Sequence, residues 1–339
     1  MRVLGLSICL LLTLVCSPLL AQSETKTAEA AIAFDLRMNN IVSSPLGKTL
    51  ELKSKMDELP TGDGPDMSKL VRVFGAMTAP EDMAALQGMQ FGDLPVDFFV
   101  RIEFSDAEGA ASMLKEAIED NGGVVERDGR KYYKAPESAG LPEGVMMYGV
   151  DDKTVEVGTE AFAFRSDAKP FTAGLKTAWA NAPDEAMRIA IDLDAARGLV
   201  DEMVAQGKEE AGDNPVVGAY MDLLAKMKNL TVSFDLSGKN LLTIQSTATD
   251  SDAATELKEG VDSMLGMAKM GGKAQAEQLK QMDPGAGDLA VKLLDGLNAQ
   301  QDSGQVTISL PRPEGFEEGV AKAMESLGGM FMGGMGPGF

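Results

Sequence analysis

The chain has 339 residues, 44% of them hydrophobic and 24% charged, with a formal net charge of −21 and no histidine. Its two cysteines, Cys9 and Cys16, both fall in the first apolar stretch, so the rest of the chain carries neither imidazole nor thiol. Ser-His, Cys-His, zinc-His and CxxC chemistries are thereby excluded beyond that stretch. The acidity opposes attraction to nucleic acid or to an anionic lipid surface, and no basic cluster is read as breaking the pattern.

Arg2, the apolar run from Val3 to Val15, and Pro18-Leu19-Leu20-Ala21 ahead of polar Gln22-Ser23 follow the order of a signal peptide cleaved after Ala21. The run is shorter than the roughly 20 residues that span a bilayer. Cys16 follows Thr13-Leu14-Val15 and lacks the small residue that a lipid-modified cysteine needs before it. The exported chain would be periplasmic or extracellular, with no transmembrane segment. At about 150 residues per domain it has room for two, predicted as one α+β unit over 22–182 and a second over 183–327, with a flexible Gly/Met-rich tail over 328–339. With no disulfide available, each unit relies on its core.

A repeat organises the chain. Ile32-Ala33-Phe34-Asp35-Leu36 recurs as Ile189-Ala190-Ile191-Asp192-Leu193, an offset of 157. Ser105 to Glu116 then resembles Thr249 to Glu259 in the same order, and two collinear matches predict an internal duplication. Ser44-Pro45 reads as an N-cap and first-turn proline. Asp97 to Phe104 alternates as a strand, Ser105 is placed as the cap of a helix with Glu108 closing a capping box, and Ala111, Leu114 and Ile118 form the helical stripe. Val124 to Glu126, Lys131 to Lys134, Val145 to Val150 and Thr154 to Val157 read as short strands, turned at Asp128-Gly129 and Asp151-Asp152. In the second copy Leu241 to Ala248 is the strand and Thr249 the cap. Gly271 to Gln301, broken at Asp283-Pro284-Gly285, reads as two helices with no counterpart in the first half. Gln305 to Leu310 is a last strand and Glu314 to Leu327 a last helix. Antiparallel strands mixed with helices make the class α+β.

Several patterns suggest chemistry and fall short of it. Gly47-Lys48-Thr49 ends like a phosphate loop, but the leading glycine is replaced by Val42. Ser112-Met113-Leu114-Lys115 matches a serine-lysine pattern, yet both Lys-Thr pairs run on as Leu50 and Ala178 instead of glycine. Asp250 and Asp252 are followed by Ala253-Ala254 where a calcium loop needs a ligand and a glycine, which favours helix capping. Carboxylates are too abundant for any pair to stand out, and Trp179 reads as core. Methionine is the compositional oddity, with 22 in the chain. Met264, Met267 and Met270 recur along a helix, and Met330, Met332 and Met335 in the tail are soft donors of the kind that suit Cu(I).

Ser44-Pro45-Leu46-Gly47-Lys48 after an apolar strand, Asp151-Asp152-Lys153-Thr154-Val155 before Val157-Gly158-Thr159, and Asp252-Ala253-Ala254 opening a helix resemble exported proteins of planctomycete-type bacteria. The resemblance implies a Gram-negative envelope location and brings no activity or site with it. The expectation is therefore a non-enzymatic binding protein of the cell envelope that engages a protein partner, with no catalytic residues and no cofactor. A carboxylate-dependent hydrolase is the alternative, and a methionine-based Cu(I) binder comes third.

Overall fold

The computed structural model describes residues 29–58, 66–79, 96–119, 123–127, 129–135, 141, 144–164, 170–183, 185–211 and 215–323. The predicted signal peptide and the tail with Met330, Met332 and Met335 lie outside these residues, as does Asp128. The strands are β1 (Ile32–Arg37), β2 (Leu70–Met77), β3 (Phe98–Phe104), β4 (Val124–Arg127), β5 (Arg130–Lys134), β6 (Val145–Gly149), β7 (Thr154–Thr159), β8 (Met187–Asp192), β9 (Met227–Phe234), β10 (Asn240–Ala248), β11 (Asn298–Asp302) and β12 (Gln305–Pro311). They hydrogen-bond into one sheet of twelve strands, ordered β11-β12-β10-β9-β8-β1-β2-β3-β7-β6-β5-β4, in which neighbouring strands pair antiparallel. The helices are α1 (Met38–Ser43), α2 (Pro45–Thr49), α3 (Leu52–Asp57), α4 (Ala107–Glu119), α5 (Glu160–Ala163), α6 (Ala173–Asn181), α7 (Arg197–Ala211), α8 (Pro215–Ala225), α9 (Ser251–Met282) and α10 (Pro284–Gly296). The class is α+β.

Both halves run through the same order. A strand (β1 or β8) is followed by helices, an antiparallel pair (β2-β3 or β9-β10), a helix (α4 or α9), and a closing hairpin (β6-β7 or β11-β12) whose second strand returns beside the pair. β1 and β8 meet at the middle, and Ala33 and Ala190, which the sequence repeat aligns, face each other there. The boundary predicted near residue 182 falls between α6 and β8. Equivalent joints are made by equivalent bonds. The Ser105 and Thr249 amides donate to the Lys69 and Lys226 carbonyls at 2.8 and 3.0 Å, and the Phe104 and Ala248 amides donate to Lys153 and Gly304 at 2.9 Å each.

Those bonds correct the predicted caps. Ser105 and Thr249 hand their amides to a neighbouring strand end, and the cap lies one residue further on in both halves. Asp106 Oδ1 accepts from the Gly109 amide at 2.9 Å, and Asp250 Oδ1 accepts from the Ala253 amide at 2.8 Å. Glu108 closes no box and instead receives Lys69 Nζ at 2.6 Å. The second half holds two further differences. α9 continues unbroken through Gly271-Gly272 from Ser251; its apolar side rests on β10 and β12 as far as Leu265, and beyond that Gly272 lies against Leu294 of α10. Asn298 to Gln301, read as helix, pair with β12 as β11, turned by Ser303 and Gly304 at φ 47° and 85°. Residues 316–323 are helical, while 324–327 lie outside the described residues.

Ser44 caps α2 as predicted, its Oγ accepting from the Gly47 amide at 2.9 Å ahead of Pro45. Gly47 has a packing reason, since a Cβ there would sit 2.2 Å from the Ile41 carbonyl. Gly75 lies opposite Phe34, whose ring would meet an added Cβ at 2.4 Å.

Strand alternation sorts residues between two faces. Phe34 and Leu36 point to the first face, where α4, α7, α8, α9 and α10 pack; Leu257, Val261, Val306 and Ile308 form one of its clusters. Ala33, Phe74, Phe99 and Ala190 point to the second face, covered at mid-sheet by α5 and α6 through Phe162, Leu175 and Trp179. Phe99 is fully buried, with its ring centroid 5.6 Å from those of Phe74 and Phe162. Phe99→Ala is expected to cost about 3–5 kcal/mol, read as a lower urea midpoint with an unchanged slope.

Candidate functional site

The second face is where polar side chains gather. Reading one register line across ten strands gives Asn298, Ser309, Thr243, Ser233, Arg188, Asp35, Phe74, Arg101, Glu156 and Tyr148. From β8 to β7 this line is charged except at Phe74, and from β9 to β11 it is neutral.

Asp35 is at the centre, and its side chain is fully buried. Arg72 on β2 grips it with two bonds, Nε to Oδ1 at 2.6 Å and Nη2 to Oδ2 at 2.8 Å. Arg37 adds Nε and Nη2 at 3.3 and 3.2 Å, and Arg188 on β8 adds Nη2 at 3.4 Å. Trp179 of α6 lies 3.9 Å from the Arg188 guanidinium carbon, a cation–π contact over the ring. Glu156, also fully buried, is the second carboxylate of the line. Arg101 donates Nε and Nη2 to its Oε2 at 3.0 and 2.8 Å, and the Tyr148 hydroxyl donates to Oε1 at 2.5 Å. Charge-assisted bonds of this kind are short and fix the orientation of a carboxylate. The arrangement neutralises both groups rather than leaving a free acid and base as a glycoside-type hydrolysis requires.

Glu185, just before β8, differs. Burial pushes its carboxyl above the ordinary value of 4.5, the Asp235 charge adds to the rise, and the Ser233 hydroxyl opposes it.

At the far end of the sheet, β4 is the outermost strand and all four of its residues are exposed. Val124 and Val125 are 52% and 40% accessible. The β4-β5 hairpin also corrects the reading that no basic cluster exists. Arg127, Arg130, Lys131 and Lys134 are all exposed on it, with Glu126 as the acidic residue among its described positions. The hairpin is anchored by Tyr132, buried 4.7 Å from the Tyr148 ring, and by Arg127 stacked 4.7 Å over Phe164. In sequence the cluster was interrupted by Tyr132-Tyr133 and masked by the overall acidity; pairing of the two strands brings it together.

The other predicted features take structural places. Ser112 lies within α4 and its counterpart Thr255 within α9. Asp250 caps α9. Trp179 is core, against Phe74 and Phe171 at 5.7 Å each. Met264 packs on the α9 core, whereas Met267 and Met270 are exposed. Among the described residues, no group of three or more acidic side chains is placed to hold a metal ion, and no helix is long and apolar enough to cross a membrane.

Fold and surface define an α+β protein built on one long antiparallel sheet. No family model matches the sequence, and no curated protein matches it. Among solved structures, crystal forms I and III of the Treponema protein TP0453 align with TM-scores of 0.33 and 0.35 at 8% and 9% identity. The alignments cover 87% and 89% of this chain and 94% and 98% of theirs, a likeness too low to carry an argument about fold or role.

Asp35→Asn removes the charge that three guanidinium groups share, Arg188 being the most buried of them, and is expected to cost about 3–5 kcal/mol, read by urea denaturation. Glu185 gives a pH-dependent expectation. A carboxyl raised in the fold binds its proton more firmly there than in the unfolded chain. Its contribution to stability is therefore full below the ordinary value of 4.5 and is lost as pH rises through the folded value. Glu185→Gln should be more stable than the parent at neutral pH, and the two should converge below about pH 4 when urea midpoints are compared across pH.

Proposed function

We propose that this chain is an exported, non-enzymatic interaction protein of a planctomycete-type cell envelope, and that β4 is the edge it offers to a partner. The observation that carries the reading is the outermost strand with its exposed Val124 and Val125, set in a basic hairpin on a chain of net charge −21. An edge strand presents unpaired backbone donors and acceptors that an extended segment completes, with side-chain pockets and charges supplying selectivity. Arg127, Arg130, Lys131 and Lys134 favour an acidic segment. The matched order of elements in the two halves, the facing Ala33 and Ala190, and the duplicated Asp106 and Asp250 caps support an internal duplication, in which the β4-β5 hairpin is an addition of the first copy. The ion-paired state of Asp35 and Glu156 speaks against the hydrolase alternative.

The test uses the exported full chain in its own envelope fraction under mild lysine cross-linking. A defined heteromeric species joined through Lys131 or Lys134 is expected, reduced at least tenfold by Arg130→Glu with Lys131→Glu at an unchanged melting temperature, and weakened by salt. A free monomer or homodimer in both proteins would overturn the reading.

A further inference from the structure

The neutral half of the second face has a chemistry of its own. Its middle register line, continuing from Ala190, is Thr231, Gln245, Thr307 and Gln300. The flanking lines, from Ser233 to Asn298 and from Asn229 to Asp302, are likewise Ser, Thr, Asn or Gln at each step, with Asp302 at the outer corner as the one charged member. The patch spans four strands and three lines; its β9 members Asn229, Thr231 and Ser233, and Thr243 on β10, are buried, so the part open to solvent lies on β10, β12 and β11, roughly 10 Å by 13 Å from ordinary strand and residue spacings. α9 and α10 pack on β10, β11 and β12 from the opposite face, through Ala299, Val306, Ile308 and Leu310. A solvent-facing sheet in a chain that is 24% charged would ordinarily carry Lys and Glu here. Within the patch, the Gln245 Oε1 atom is buried and has no hydrogen-bond partner among the described residues.

We infer that this surface binds a neutral, polyhydroxylated polymer, that is, an uncharged glycan chain. Hydroxyl and carboxamide groups both donate and accept, so they match sugar hydroxyls in either sense. With almost no formal charge in the patch, binding requires no ion to be desolvated, and the acidity of the surrounding molecule turns away anionic polymers. No aromatic ring occurs on these three lines, so stacking contributes nothing and each hydrogen bond, exchanged against water, contributes little. Affinity then comes from repetition along a chain, which selects a polymer over a free monosaccharide.

Native affinity electrophoresis of the exported full chain through gels containing dextran, laminarin or hydroxyethyl cellulose tests this. Retardation by at least one of the three is expected, with glucose at the same monomer concentration failing to relieve it. Gln245→Glu and Thr307→Glu should each weaken retardation at least tenfold, and Thr307→Val, which keeps shape without the hydroxyl, should weaken it measurably if the charged variants do not fold. Arg130→Glu on the distant hairpin should leave it unchanged, so that failure of this site and failure of the β4 reading are distinguishable. No retardation by any of the three polymers, equal retardation of the variants, or loss of a cross-linked protein partner in Thr307→Glu without any glycan effect would overturn the inference.

Discussion

The pairing of β1 with β8 makes one sheet out of two runs of strands, and a buried carboxylate lies beside that seam. Asp35 receives guanidinium groups from β1, β2 and β8. Buried ion pairs of this kind return little net stability, because desolvating the charges consumes most of what their attraction provides. Their effect here is on register. A slip of one residue would turn Asp35 into the helix-covered core and bring Phe34 and Leu36 onto the polar face. Ala33 against Ala190 allows close approach at the seam but would tolerate several registers. The aspartate with Arg188 and Arg72 tolerates one.

From this centre the two halves diverge while keeping the same path. Toward β7 the line is made of long charged side chains, with Glu156 neutralised by Arg101 and Tyr148. Toward β11 it is made of short hydroxyl and amide groups. The first half hides its charges beneath α5, α6 and neighbouring arginines, whereas the second half has few charges to hide. The same topology therefore carries two surfaces with different partners in chemical terms, one completed internally and one equipped to exchange hydrogen bonds with something outside the protein.

Much of the fold was legible in the sequence, and the failures share a cause. Alternation located β3, the repeated Ile-Ala segments fell on β1 and β8, β10 and β12 were read as strands, and the Asp-Gly and Asp-Asp turns separated β4 to β7, whereas β2 and β9 were not read as strands. The caps were misplaced by one residue in both halves because local pattern favours Ser and Thr equally with Asp, and the structure gives the capping bonds to Asp106 and Asp250. β11 was missed because Asn298-Ala299-Gln300-Gln301 has no β-branched residue to announce a strand; the signal was the Ser303-Gly304 turn after it. Of the candidate site, Asp35 was visible only as a member of a repeat. The arginines that surround Asp35 come from positions far apart in the chain, and no spacing rule joins them. The neutral patch was invisible for the same reason, since it exists only when alternate residues of four strands are laid side by side.

A sheet of twelve strands must still end somewhere, and its two ends are treated differently. β11 carries Gln300, Gln301 and Asp302 outward, a polar edge with little to attract a second strand. β4 exposes two valines, which by themselves would invite pairing with another copy of the same edge. The hairpin charges answer that hazard. Two copies brought edge to edge would set Arg127, Arg130, Lys131 and Lys134 against their own kind, in addition to the repulsion between molecules of the same large net charge. The same cations attract an acidic strand, so the device that protects the edge from its own kind leaves it open to a partner of opposite sign.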